Sequence, residues 1–133
     1  MFTLDNKLQE DTFFIKDLKL SKLLLMNNKN YPWLILVPRL DNITEIFHLN
    51  QDQYNDLNDE VYLISKISNN FFNADKMNIA TLGNVVSQLH IHIISRYKND
   101  NSFPSPVWID KKVRPYSKEE VENIIKNINL VLA

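Results

Sequence analysis

The chain has no cysteine among its 133 residues. That excludes a disulfide framework, a thiolate nucleophile and a thiolate-bound zinc. Glycine is almost as scarce, Gly83 being the only one. Phosphate loops built on several glycines, such as Walker A or GxGxxG, are therefore excluded. Neither charge sign dominates: 15 Lys+Arg stand against 16 Asp+Glu, a formal net charge of -1. Composition thus advertises neither nucleic acid nor an anionic membrane as a partner. No apolar run approaches the roughly 18–20 residues of a membrane span. The opening Met1-Phe2-Thr3-Leu4-Asp5 lacks the basic and apolar regions of a signal peptide. These absences predict a cytoplasmic protein folded as a single domain over 1–133.

What is present is an ordinary globular mixture, 44% hydrophobic and 23% charged. Its pattern reads as two helices and about five strands. Leu20 to Met26 reads as a strand, followed by an Asn27–Asn30 turn. Trp33 to Val37, ended by Pro38, is short and β-branched, as a buried strand is. These two form a hairpin. A helix is expected from near Asn50, which makes a capping pair with Gln53. It carries Tyr54, Leu57, Val61, Ile64 and Phe71 at helical spacing and ends near Asn73. A second helix starts at Ser117, where Glu120 completes an S-x-x-E box. Between them Lys76–Leu82, Gly83-Asn84 and Val85–Arg96 read as a hairpin, because Gly-Asn supports the positive dihedral angles of a tight turn. Strands joined by hairpins, with two helices, predict an α+β fold on an antiparallel sheet. Lys98–Pro106 reads as an irregular surface stretch.

Chemistry concentrates in Gln88-Leu89-His90-Ile91-His92-Ile93-Ile94, which holds two of the three histidines. Its strict alternation along the Val85–Arg96 strand puts Gln88, His90 and His92 on one face and Leu89, Ile91 and Ile93 on the other. A neutral imidazole is a good nucleophile toward phosphorus, and the imidazole reference pKa of about 6.5 leaves a neutral fraction at cell pH. A second imidazole can donate to phosphate oxygens. The same pair is also two metal ligands lacking a third.

The string Gly83-Asn84-Val85-Val86-Ser87-Gln88-Leu89-His90-Ile91-His92-Ile93-Ile94 resembles the signature of the histidine triad (HIT) family of nucleotide hydrolases and transferases. That signature is Gly-Gln, a few residues, then His-φ-His-φ-His-φ-φ with φ apolar. The order of hairpin, helix and strand agrees, so the resemblance covers roughly 12–100, with 101–133 a C-terminal extension and helix. It implies a HIT-like fold, usually paired as a homodimer. It also implies hydrolysis of a nucleoside phosphate compound, a dinucleoside polyphosphate such as diadenosine tetraphosphate or a nucleoside phosphoramidate. His90 matches the nucleophile that forms a nucleotidyl-histidine, and His92 the histidine bonded to phosphate. Gln88 stands where the first triad histidine would, and cannot carry a proton at neutral pH.

The Gly83-Asn84-Val85 turn matches a phosphate-holding segment, although Asn84 is one methylene shorter than the family's Gln and Val85 offers only its backbone amide. Asn27 matches a position near the nucleotide sugar. Asn78 is the nearest match to an assisting amide. A strict two-residue turn opposes Met77 to His90, and one extra loop residue brings Asn78 to the histidine side. Phe103-Pro104 resembles an aromatic-Pro element that approaches the site in dimeric members, and Trp108 is a candidate for the same packing. Arg96 is a candidate phosphate contact or a solvated strand end. His48 is expected to be a structural or surface histidine. No cofactor is required on this reading, and any divalent cation rides on the substrate phosphates. The rival is a nucleotide-binding module with little catalysis, in which the missing first histidine signals a sensor or scaffold.

Overall fold

A computed structural model describes residues 1–133. One sheet of five antiparallel strands runs in the order β1-β2-β3-β5-β4. The strands are β1 (Thr12–Asp17), β2 (Ser21–Met26), β3 (Trp33–Pro38), β4 (Lys76–Ala80) and β5 (Ile91–Arg96). Three helices accompany them: α1 (Asn6–Asp11), α2 (Gln51–Phe72) and α3 (Lys118–Leu132). No helix is long and apolar enough to cross a membrane.

Alternation along the strands divides the interior into two layers. Leu23, Leu25, Leu34, Leu36, Ile91 and Ile93 point to the face covered by α2 and α3, where they meet Leu57, Ile64 and Ile128. Burying each such side chain contributes about 1.5–3 kcal/mol relative to exposure. Leu24, Trp33, Ile35, Val37 and Ile94 point the other way and pack under Leu8 of α1 and Val107. His92 belongs to this second face, since it pairs with Ile35 and Ala80 across the sheet.

Both expected capping boxes are formed, at Asn50 with Gln53 and at Ser117 with Glu120. α2 ends at Asn73 in the left-handed conformation (φ 52°), which Asn tolerates better than most residues. α2 also buries Glu60, whose Oε2 accepts from the backbone N–H groups of Leu20 (2.8 Å) and Ser21 (3.3 Å).

Two expectations fail, each for a local reason. α1 and β1 are absent from the sequence reading, because α1 is shorter than two helical turns and β1 breaks its alternation with a register shift between Phe14 and Lys16. Gly83-Asn84 is not a tight hairpin turn. Ala80 opposite His92 leaves a connection far too long for a two-residue loop, and Gly83 has no positive φ. Residues 81–90 instead form an irregular loop, and β5 begins only at Ile91. Gln88 and His90 therefore lie before the strand, outside its ladder.

Candidate active site

His90 and His92 meet at the end of β5. Their rings are 4.7 Å apart between centroids and nearly perpendicular, at 78°. Each residue is only 5% exposed, yet both line a cleft of about 400 Å³. Its walls are α1 (Lys7, Leu8, Asp11), the loop residues Leu82, Asn84, Val85 and Val86, Met26 and Trp108.

Hydrogen bonds fix a different tautomer on each ring. His90 Nδ1 lies 2.7 Å from the backbone carbonyl of Gln88. A carbonyl only accepts, so Nδ1 carries the proton and donates, and in the neutral ring Nε2 keeps its lone pair. His92 Nδ1 lies 2.9 Å from Trp33 Nε1. An indole N–H only donates, so His92 Nδ1 accepts and its proton sits on Nε2. One ring thus offers a bare nitrogen and the other an N–H donor, the two groups needed to attack and to hold a phosphate.

Burial pushes the His92 pKa down to about 3, with the neighbouring His90 adding to the effect. The unfolded chain therefore binds a proton that the folded chain refuses between pH 6.5 and about 3. Stability associated with His92 is complete above pH 6.5 and is lost as pH falls toward 3. His92 is therefore neutral throughout the physiological range, with its proton on Nε2. Nitrogen-detected NMR should find His92 as the single Nε2–H tautomer from pH 5 to 9. In Trp33→Phe, which removes the indole donor, a mixture of tautomers is expected; an unchanged pattern would remove the assignment.

The aromatic wall is continuous. Trp108 packs edge-on against His92 (4.9 Å) and against Trp33 (5.6 Å). Trp108 therefore does approach the site. Phe103 is not among the residues lining the cleft, and its ring lies 5.5 Å from the Arg96 guanidinium. Arg96 is neither a phosphate contact nor a solvated strand end. It is 1% exposed and makes a two-point ion pair with Asp100, at 2.8 and 3.0 Å. Further bonds reach Asn78 Oδ1 (2.8 Å), the Ser105 carbonyl (2.8 Å) and Ser102 Oγ (3.2 Å).

The remaining sequence candidates disperse. Asn78 does face the histidine side of the sheet, but it pairs with Ile94, two residues beyond His92. Its side-chain oxygen is engaged by Arg96. The Gln88 amide is bonded to the N-terminal segment, to Thr3 and Asp5, rather than to an imidazole. Asn84 and Val85 line the cleft, whereas Gly83 does not. Asn27 lies in an adjoining cavity of about 630 Å³, which shares Lys7, Asp11, Met26 and Trp108 with the histidine cleft. Its Oδ1 accepts from the Tyr116 N–H at 2.9 Å. His48 is structural: its Nδ1 accepts from the N–H groups of Thr44 (3.2 Å) and Glu45 (3.3 Å).

Sequence reasoning missed Trp33, Lys7 and Asp11. Trp33 reads only as the start of a buried strand, and nothing local joins it to His92, 59 residues away. Lys7 and Asp11, paired at 2.9 Å, ride on the short helix that periodicity cannot reveal. No cluster of three or more His, Cys, Asp or Glu side chains is positioned to hold a metal ion.

Comparison with known proteins agrees with this geometry. No curated protein matches the chain. Among solved structures, it is similar to a histidine triad protein from Bradyrhizobium japonicum, at 42% identity over 94% of this chain and 93% of that one, with a TM-score of 0.91. A histidine triad (HIT) protein from Sinorhizobium meliloti shares 39% identity over 96% and 94%, at TM-score 0.93. One from Marinobacter aquaeolei shares 40% over 95% and 92%, at TM-score 0.92. Residues 7–99 match the HIT domain, which spans the sheet, α2 and both imidazoles, and the chain belongs to the HIT family of histidine triad proteins.

Proposed function

We propose that this protein hydrolyses a nucleoside phosphate compound through a nucleotidyl-histidine. The observation that carries the reading is the complementary tautomer pair, His90 with a bare Nε2 and His92 with an Nε2–H, on one cleft wall. His90 Nε2 attacks the α-phosphorus, and the bond from phosphorus to the leaving group breaks with its electron pair leaving on that group. His92 donates to a phosphate oxygen as negative charge builds there. Water then attacks phosphorus and releases a proton to solvent, the P–N bond breaks with its electron pair returning to His90 Nε2, and a nucleoside monophosphate departs.

The leaving group follows from what stands beside the imidazoles. An amine must be protonated as it leaves, whereas a polyphosphate can depart as an anion. Gln88 cannot supply a proton, and His92 holds its only proton as the phosphate donor. The reading therefore favours a phosphoanhydride, as in a dinucleoside polyphosphate, over a phosphoramidate. Lys7, which lines both cavities, is suited to the phosphate charge. In this reading no protein-bound cofactor takes part, a divalent cation arrives with the polyphosphate, and the enzyme works in the cytoplasm.

Pairing of two copies is part of the proposal. β4 is a free edge of the sheet with Ile79 half exposed, and Tyr62 and Val61 of α2 lie beside it. Such an edge is ready to extend by adding a strand. A single-chain mass by light scattering would remove this part.

The second reading, a binding module without turnover, draws support from the engagement of Gln88 elsewhere. Rapid acid-free quenching of the protein with diadenosine tetraphosphate, followed by mass spectrometry, separates the two. An adenylyl adduct on the peptide holding His90 is expected. Tight binding of the compound with neither adduct nor release of AMP would favour the module.

A further inference from the structure

The Gln88 amide faces away from the imidazoles and bridges the N-terminal segment. Its Nε2 donates to the Thr3 carbonyl at 2.8 Å, and its Oε1 accepts from the Asp5 N–H at 2.8 Å. An amide presents donor and acceptor side by side, which matches a backbone C=O and N–H two residues apart. The two nitrogens of an imidazole diverge and cannot make this bridge. The residue that departs from the triad pattern is thus the one suited to this contact.

Asp5 passes the contact on. Its carboxylate caps α1, accepting from the N–H groups of Lys7 (2.8 Å) and Leu8 (3.3 Å). Leu8 is buried against the second layer of the core, with Leu24 and Trp33. Lys7, Leu8 and Asp11 then stand on the wall of the histidine cleft. A chain of bonded groups therefore runs from position 88 through Asp5 to a wall of the cleft that His90 lines.

We propose that the Gln88 side chain is a positioning group for nucleotide affinity: by bridging Thr3 and Asp5 it holds α1 as a wall of the cleft, and it takes no part in phosphoryl transfer, whereas the main-chain carbonyl of the same residue holds His90 Nδ1. The proposal rests on the cleft being the nucleotide site. Four variants test it: Gln88→Leu, Asp5→Ala, the two combined, and Gln88→Glu. The probe is AMP, titrated against the fluorescence of Trp33 and Trp108, the protein's two tryptophans, both of which line the adjoining cavity. Turnover of diadenosine tetraphosphate is measured alongside.

Gln88→Leu should raise the AMP Kd and the substrate KM about tenfold, the ratio that follows from losing two neutral hydrogen bonds. Its kcat should stay within about twofold, since the main-chain carbonyl that holds His90 Nδ1 is kept and no group at the reacting phosphorus is removed. Asp5→Ala should act in the same direction, and the double variant should be no worse than the more affected single one, because both break one chain. Gln88→Glu keeps the acceptor for Asp5 but sets a carboxylate oxygen against the Thr3 carbonyl, so it should raise the AMP Kd as well. It also carries the comparison if Gln88→Leu does not fold.

A fall in kcat at unchanged Kd, or independent effects that multiply in the double variant, overturns the proposal. Wild-type protein that binds no AMP overturns the proposed function and this inference together. Wild type that binds AMP, with Gln88→Leu binding it equally well, overturns this inference alone.

Discussion

His90→Ala should lose turnover of diadenosine tetraphosphate by about 10⁴-fold or more, the scale seen when a covalent nucleophile is deleted. Nothing else in the cleft can replace it. His92 Nδ1 is occupied by Trp33 and its Nε2 carries the proton, so the second imidazole has no lone pair to offer. Lys7 is engaged with Asp11, a contact that raises its pKa and keeps it cationic. AMP binding should survive in the variant, because His92, Trp108 and α1 remain. The ring is buried and packs on His92, so a stability loss of about 1–3 kcal/mol is also expected. Turnover is therefore compared at a temperature where both proteins are folded. Retention of more than about a tenth of wild-type turnover would be incompatible with a nucleotidyl-histidine at this position.

The second large effect is on stability. Arg96→Met should destabilise the fold by about 3–5 kcal/mol in urea denaturation, because it leaves a buried carboxylate without its cation. Asp100 shows what is at stake. Burial by itself would raise its pKa, yet the Arg96 hydrogen bonds, with the backbone N–H groups of Tyr97, Phe103 and Ser102, bring it down to about 2. A carboxylate held below its ordinary value of 3.8 stabilises the fold above that pH and ceases to do so as pH falls through about 2. Wild-type protein should therefore lose stability across that window, and Arg96→Met should show a flatter profile. Arg96→Lys should recover only part of the loss, since a point charge cannot span both carboxylate oxygens. A loss below about 1 kcal/mol for Arg96→Met would place the pair with ordinary surface bridges instead.

This cluster also bears on the site. Arg96 and Asp100 hold the segment after β5 through Ser102 and Ser105. Tyr31 joins from β3's leading loop, donating to Asp110 at 2.7 Å. Trp108, between those anchors, is presented to His92. Charge buried on the same face of the sheet as the imidazoles thus supports the aromatic wall of the cleft.

The parts of the protein legible in its sequence are those whose cause is local. Hydrogen-bond and packing periods repeat within one element, so β2, β3, α2 and α3 appear in the order of apolar residues. The two capping boxes appear because each joins residues three apart. His90 and His92 stand out for the same reason, as neighbours two residues apart above an apolar set that anchors β5. Tertiary contacts decided the rest. Trp33 fixes the tautomer of His92 across 59 residues, and Gln88 holds Thr3 across 85. Register, not local spacing, gave Asn78 to Arg96. Local spacing constrains which groups can lie on one face, but donors and acceptors tens of residues apart are matched only once the sheet has closed and brought them within 3 Å.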